Sequence, residues 1–380
     1  MTFKNIQLKN LLSLITLILI TVSCSGTPSA TGDQPKKNPP PPQKEAASTV
    51  PVKENGEISL MTFNVENMFD NTHDEGTEDY TNLPLSEKNK PEVQNYCASI
   101  SSEYYKKECY EKDWSNEAVE FKLSQIEKTI RFTEKGLGPD IIFMAEVENI
   151  NILSRLVNKN LKGLGYKSKV LIEGPDTRGI DPAILSKFPI KGRPILHIIP
   201  YQDSDPEKLK GALKSRGIIE ATFILPNSKE LTVMAVHFPS QANPSDWRRQ
   251  AAIFLKSKMQ EYQNQGRAVI AGGDFNIIRT EESDRGYFSE ILSTVGQISH
   301  FVGCKDCPGT HFYRGDWSFL DVIVVGHQIQ NAGLTLVPES IMAVKAPHHV
   351  DQNGIPIRFD EIKKVGVSDH LPLYLRLKIN

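Results

Sequence analysis

Short apolar runs rich in Ile and Val recur along this chain, and most of them stop on a polar residue. Ile58–Phe63, Ile141–Met144, Ile218–Leu225, Leu231–Val236, Ala268–Ala271 and Val322–Val325 are four to eight residues long, and Leu371–Leu377 alternates. Runs of that length read as strands, several of them buried on both faces. Helical stretches lie between some of them. Val119, Leu123, Ile126 and Ile130 share one helix face, and Ile152 with Leu156, and residues 246–262 with Ala251, Phe254 and Leu255, mark two more helices. Helices do not separate every pair of strands. Ile218–Leu225 and Leu231–Val236 are joined only by Pro226–Glu230, which predicts a hairpin. The pattern requires an α/β fold with a mixed sheet, or two, rather than a doubly wound parallel sheet. No short fixed-period repeat is present.

The ends of the chain differ in kind. Residues 1–24 have the form of an export signal: Lys4 and Lys9, then the apolar stretch Leu11–Val22, too short to span a bilayer. It ends at Thr21-Val22-Ser23-Cys24-Ser25, which resembles the lipobox of bacterial lipoproteins, with Thr21 in place of the usual aliphatic residue. That resemblance implies lipidation at Cys24 and a membrane anchor in the cell envelope; the alternative is a plain secretory signal. Residues 25–56 are rich in Pro, Ser, Thr and Lys and read as a disordered linker. Residues 57–380 then form one domain, with an acidic, Tyr-rich insertion or long loop at about 70–116. Four cysteines remain beyond Cys24: Cys97, Cys109, Cys304 and Cys307. In an exported chain they predict up to two disulfides, of which Cys97–Cys109 and Cys304–Cys307 is the most local pairing. The rival is a zinc site using Cys304, Cys307 and His300 or His311. Lys plus Arg is 44 against 46 Asp plus Glu, so a protein that grips nucleic acid by bulk charge is excluded.

The polar residues that end the apolar runs carry the chemistry. Thr62-Phe63 ends in Asn64, with Glu66 close behind; Met144-Ala145 in Glu146; Ala235-Val236 in His237; and Gly272-Gly273 in Asp274, with Asn276 two residues on. Ser368-Asp369-His370 stands just before the last run. Glu146 and Asp369 offer the hard oxygens that Mg²⁺ or Mn²⁺ prefers, and Asn64 adds a neutral one. Asp274 and Asn276 fall on one side of an extended chain, where one holds a water and the other orients it. His237 and His370 titrate near neutrality. Gly272 and Gly273 let backbone approach something closely, a phosphate being one candidate.

The segments Thr62-Phe63-Asn64-Val65-Glu66-Asn67, Ala145-Glu146-Val147-Glu148-Asn149, Val236-His237-Phe238-Pro239-Ser240, Gly273-Asp274-Phe275-Asn276 and Ser368-Asp369-His370-Leu371-Pro372 together resemble the endonuclease/exonuclease/phosphatase family. The resemblance implies a four-layer sandwich of two packed mixed β-sheets flanked by helices, and a phosphoesterase using Mg²⁺ or Mn²⁺, with Ca²⁺ as a further possibility. It implies Asn64, Glu146 and Asp369 at the metal, and Asp274 and Asn276 as the water- and phosphate-orienting pair. It implies His370 oriented by Asp321, His237 supported by Asp181, and Arg216 contacting substrate phosphate. The substrate expected is nucleic acid, cleaved by a monomeric enzyme that is secreted or anchored at the envelope. The alternatives are a phospholipid phosphodiesterase or phosphatase of the same fold, and a surface protein that has lost the reaction.

Overall fold

A computed structural model describes residues 50–380. The export signal with Cys24, and residues 25–49 of the linker, lie outside the described residues. Residues 50–56 pack on the domain: the Lys53 backbone N–H donates to Glu134 and Glu134 N–H donates to the Pro51 carbonyl. Residues 51 and 53, read from sequence as part of the linker, are thus bonded to the domain. No helix among the described residues is long and apolar enough to cross a membrane.

The strands are, in chain order, β1 (Glu57–Met68), β2 (Ile141–Val147), β3 (Ser168–Val170), β4 (Asp181–Ser186), β5 (Ile190–His197), β6 (Ile218–Ile224) and β7 (Glu230–His237). They continue as β8 (Val269–Asp274), β9 (Gly296–Ile298), β10 (His311–Tyr313), β11 (Asp316–Ser318), β12 (Asp321–Gly326), β13 (Leu334–Ala343) and β14 (Leu373–Ile379). One sheet runs β13-β14-β1-β2-β4-β3, the other β5-β6-β7-β8-β12-β9, and β10-β11 is a small ribbon. Each large sheet is antiparallel except for one central parallel pair, β1 with β2 and β7 with β8. The predicted hairpin joins β6 to β7.

Alternation along each strand divides the core. In β1, Ile58 and Leu60 face the opposite sheet, while Met61 and Phe63 face outward. Between the sheets Phe143, Ile184 and Leu375 meet Ile219, Phe223, Val233, Ile270 and Ile323. On the outer face of the first sheet lies a helix at Asn116–Arg131, started by Ser115, whose hydroxyl accepts from Ala118 N–H. Its buried stripe is the predicted Val119, Leu123, Ile126 and Ile130. Ser245–Asn264 covers the second sheet with Ala251, Ala252, Leu255 and Met259. Helix, sheet, sheet, helix is the four-layer arrangement the resemblance implied.

The 70–116 segment is not a long loop. Two nine-residue helices, Pro91–Ser99 and Glu103–Glu111, are stapled by the Cys97–Cys109 disulfide over a small cluster with Leu83 and Val93. Cys304 and Cys307 also form a disulfide, and His300 stacks on Phe319, so the zinc reading is withdrawn. Gly272 and Gly273 approach protein, not phosphate. A Cβ on Gly272 would sit 2.6 Å from the Phe143 ring across the sandwich, and one on Gly273 would meet the Val236 carbonyl oxygen.

The contact at Gly272 is the tightest test of how closely the sheets approach. Gly272→Ala should destabilise the protein by about 1–3 kcal/mol through overpacking against Phe143. Chemical denaturation checks this; a double variant with Phe143→Leu should recover part of the loss.

Candidate active site

Two parallel pairs, one per sheet, deliver their carboxyl ends to the same edge of the sandwich. In the first sheet Asn64 aligns with Ala145, which places Glu146 just beyond it. In the second, His237 aligns with Asp274, and Asp274 aligns in turn with Asp321 at the start of β12. The Asn64 side chain joins the sheets. Its Nδ2 donates to Glu146 Oε1 at 3.1 Å and to Asp274 Oδ2 at 2.9 Å, and its Oδ1 accepts from Glu66 N–H at 3.0 Å. Asn64 was expected to lend an oxygen to a cation; that oxygen accepts one hydrogen bond and keeps a second lone pair, while the amide nitrogen holds the two carboxylates in place.

The backbone bends sharply at these strand ends. Glu146 (φ 64°), Glu66 (φ 51°), Asn67 (φ 59°) and Asn276 (φ 53°) all lie in the left-handed region. Register shifts interrupt β1 between Asn64 and Met68, and β2 against β4 between Met144 and Val147. Such breaks re-aim side chains out of the pleat and cost of order 1 kcal/mol or more each for non-glycine residues. The turned Glu146 is caught by Asn67 N–H, 2.9 Å from Oε2. Asn276 donates its N–H to Asp274 Oδ1 at 2.8 Å and its Nδ2 to the Phe238 carbonyl at 3.1 Å.

His370 Nδ1 lies 2.8 Å from Asp321 Oδ2, as the resemblance implied. Burial alone would favour the neutral imidazole, but Asp321, Asp274 and Asp369 outweigh it and hold the His370 pKa well above the usual value. The Ser of Ser-Asp-His positions the group: Ser368 Oγ donates to the Asn64 carbonyl at 2.7 Å and accepts from His370 N–H at 3.0 Å. Asp274 is buried, which with Asp321 pushes its carboxyl up to about 7 against the opposing pull of His370. His237 is held neutral, first by burial and then by the charge of Arg216. Its Nε2 faces Asp274 Oδ2 at 3.7 Å and Glu146 Oε1 at 4.0 Å.

Two expected partners stand elsewhere. His237 Nδ1 bonds to the Ile180 carbonyl at 3.0 Å, not to Asp181. Asp181 accepts from Gly174 N–H at 3.1 Å, and burial raises its carboxyl to about 7. The backbone beside it does the orienting instead. Arg216 is 2% exposed, with one terminal nitrogen on Asp176 Oδ2 (3.0 Å) and the other on the Phe238 carbonyl (2.8 Å). Both are committed to protein, so the arginine acts on the site through its charge rather than as an open phosphate contact.

Three further residues belong to the site. Glu66 accepts from Asp369 N–H and Phe359 N–H, each at 3.1 Å, and pairs with Arg358 Nε at 2.6 Å. Its place two residues after Asn64 was the available signal. Arg358, which also lies 3.5 Å from Asp369, had none. His311 stacks near His370 with ring centres 4.8 Å apart. His311, Asp369 and His370 each bring one potential ligand atom within 4.8 Å of the others.

The donor set suits a hard divalent cation. Glu146 and Asp369 present carboxylates whose side chains are 19% and 23% exposed, the open members of an otherwise buried acidic group. Oxygen donors with adjacent imidazoles and no thiolate fit Mg²⁺ or Mn²⁺.

Comparison with known proteins agrees with this architecture. A family model described as the endonuclease/exonuclease/phosphatase family matches residues 98–379. No curated protein matches the chain. Truncated TDP2 from Caenorhabditis elegans is similar in structure, with a TM-score of 0.50 and 13% identity over 85% of this chain and 98% of that one. A mannosyl-6-phosphatase of Bacteroides thetaiotaomicron gives 0.49 and 16% over 84% and 99%.

The Asp321–His370 pair makes a sign-definite prediction. Because the folded pKa of His370 is raised, its stabilisation is complete below the unfolded value near about 6.5 and drains away as pH climbs toward the folded value. Asp321→Asn should therefore cost more stability at pH 6 than at pH 9. It should also lower the His370 pKa read by NMR of the metal-free protein. An unchanged titration would refute the coupling.

Proposed function

The chain belongs to the endonuclease/exonuclease/phosphatase family, a family of phosphoric ester hydrolases, and on that premise we propose that it is an exported, Mg²⁺- or Mn²⁺-dependent phosphodiesterase acting on nucleic acid. One observation carries the reading. Asn64, Glu146, His237, Asp274 and Asp321 come from five different strands, Asn276 and His370 from the segments beside β8 and β14, and they converge on one edge of the sandwich, tied together by Asn64.

Glu146 and Asp369 would hold a divalent cation, which would supply charge neutralisation for the phosphoryl oxygens. The remaining chemistry belongs to the chain. Asp274, its carboxyl raised toward neutrality and its oxygens fixed by Asn64 and Asn276, takes a proton from the attacking water. His370, kept protonated by Asp321, presents Nε2–H to the negative charge that develops on the phosphoryl group. His237 is the neutral imidazole. Its Nδ1–H donates to the Ile180 carbonyl, which leaves Nε2 as a lone pair facing the carboxylates, able to receive and return a proton. Export through the Cys24 signal and anchoring at the envelope complete the proposal; the acidic balance of the chain leaves recognition of a polyanion to these placed groups.

His237→Ala and Asp274→Ala should each reduce turnover by at least about 100-fold. Chelation should abolish activity, with recovery on adding Mg²⁺ or Mn²⁺. A zymogram on DNA and RNA, run with and without chelator, is the direct check. Hydrolysis of sphingomyelin with no cleavage of either nucleic acid would replace the substrate class and keep the reaction.

A further inference from the structure

The phosphate contact expected of Arg216 is left unfilled, because both terminal nitrogens of that arginine are bonded to protein. Other cations near the edge are committed as well. Arg178 closes a two-point pair on Asp176, through Nε at 3.0 Å and Nη2 at 2.6 Å. Lys122 is fully buried and donates to the Val367 carbonyl at 2.7 Å. Arg358 is placed differently. Its Nε donates to Glu66 Oε1 at 2.6 Å, and neither terminal nitrogen donates a hydrogen bond to protein among the described residues. Nη2 stands 3.5 Å from Asp369 Oδ2, and the side chain is 70% exposed.

An exposed arginine on a loop is ordinarily a solvated surface charge, and an exposed ion pair contributes little. Three features set this one apart. Its partner is not on the surface. Glu66 is 8% exposed and accepts at Oε2 from Phe359 N–H and Asp369 N–H, so one carboxylate fixes the arginine, the residue after it and Asp369. The backbone at 358 is held too. Phe359 packs against Trp114 and Phe121, and a Cβ on Gly366 would stand 1.9 Å from the Arg358 carbonyl oxygen. Lastly, the guanidinium fork is only partly used. With Nε–H spent on Glu66, the terminal N–H groups remain for an acceptor beside Asp369, and a phosphoryl group offers several anionic oxygens.

We propose that Arg358 is a catalytic residue that binds the phosphoryl group, in the role that Arg216 does not fill. This rests on the hydrolase reading, with Asp369 as a ligand of the divalent cation. In the bare protein the guanidinium offsets the charge of Asp369. A cation on that carboxylate competes with it; Glu66 keeps Nε–H, and the terminal N–H groups turn to the phosphoryl oxygens. The arginine therefore opposes metal binding and favours substrate binding, two effects of opposite sign from one side chain. A group that only braced the loop would move both in the same direction.

Three measurements on the full chain test this. The first titrates Mn²⁺ calorimetrically into chelator-stripped protein. Arg358→Ala should bind it about threefold more tightly than wild type, because a positive charge beside Asp369 is gone. The second titrates inorganic phosphate into the Mn²⁺-loaded protein. Arg358→Ala should bind about tenfold more weakly. Arg358→Lys keeps the charge but not the fork, so it should hold Mn²⁺ as wild type does and still bind phosphate poorly. The third measures kcat/KM for bis(para-nitrophenyl) phosphate, which should fall about 100-fold in Arg358→Ala and recover in part with added guanidinium. Phosphate affinity unchanged in Arg358→Ala, or Mn²⁺ and phosphate affinity lowered together, would overturn the assignment. If wild type hydrolyses no ester, the hydrolase reading fails, while the two titrations still decide whether Arg358 holds an oxyanion.

Discussion

Asn64 stands between two carboxylates that belong to different sheets, and the site depends on that position. Glu146 comes from the first sheet and Asp274 from the second, and each takes a hydrogen from the same amide nitrogen. Two anions brought together under partial burial repel, and neither can be solvated freely. An amide placed between them offers two donors and no net charge, so it offsets part of the repulsion without cancelling the negative field. A carboxylate at position 64 would add repulsion, and a lysine would neutralise the site. The apolar layer between the sheets supplies the rest of the constraint. Packed interiors deform little, so the edge of the sandwich is held at the spacing the amide can bridge.

The same edge is where backbone regularity is given up. Glu66 and Glu146 adopt left-handed conformations near the ends of the buried strands β1 and β2, and Asn276 does so two residues beyond β8. A strand alone would send alternate residues to opposite faces. The bend turns them toward one point, and each bent residue is held by hydrogen bonds to its neighbours: Glu146 by Asn67, Glu66 by Phe359 and Asp369, Asn276 by Asp274. Rigidity in the sheets and local strain at their ends are two parts of one arrangement.

What could be read from the amino-acid sequence follows from this. Strands β1, β2, β7, β8 and β12 are buried on both faces, so they appear as unbroken apolar runs, and a polar residue ending such a run stands out. Edge strands do not appear in that way. β5 is largely exposed and contains Gly192 and Pro194, and β13 contains Pro338. The helices at Pro91–Ser99 and Glu103–Glu111 bury only one or two residues each, and a disulfide provides the order that an apolar stripe would otherwise give. The pairing of His370 with Asp321 was legible because both are side chains in marked segments. The partner of His237 was not, because a carbonyl oxygen at Ile180 has no residue type to betray it. Arg358 meets Glu66 across 292 residues of chain from a loop without pattern, which only the folded topology brings together.

The charges then argue for the kind of reaction. Glu66, Glu146, Asp274, Asp321 and Asp369 crowd one edge, against the positive groups His370, Arg358 and the fully buried Lys122. Lys122 is tied to the Val367 carbonyl at 2.7 Å on the inner side of the helix at Asn116–Arg131, so its charge supports Glu66 and Glu146 from behind rather than facing the opening. An acidic opening by itself repels a phosphate ester. It becomes attractive only when a multivalent cation occupies the exposed carboxylates and reverses the local field. On the proposed metal-dependent reading, affinity for a phosphate ester and affinity for the metal are linked through the same few oxygens.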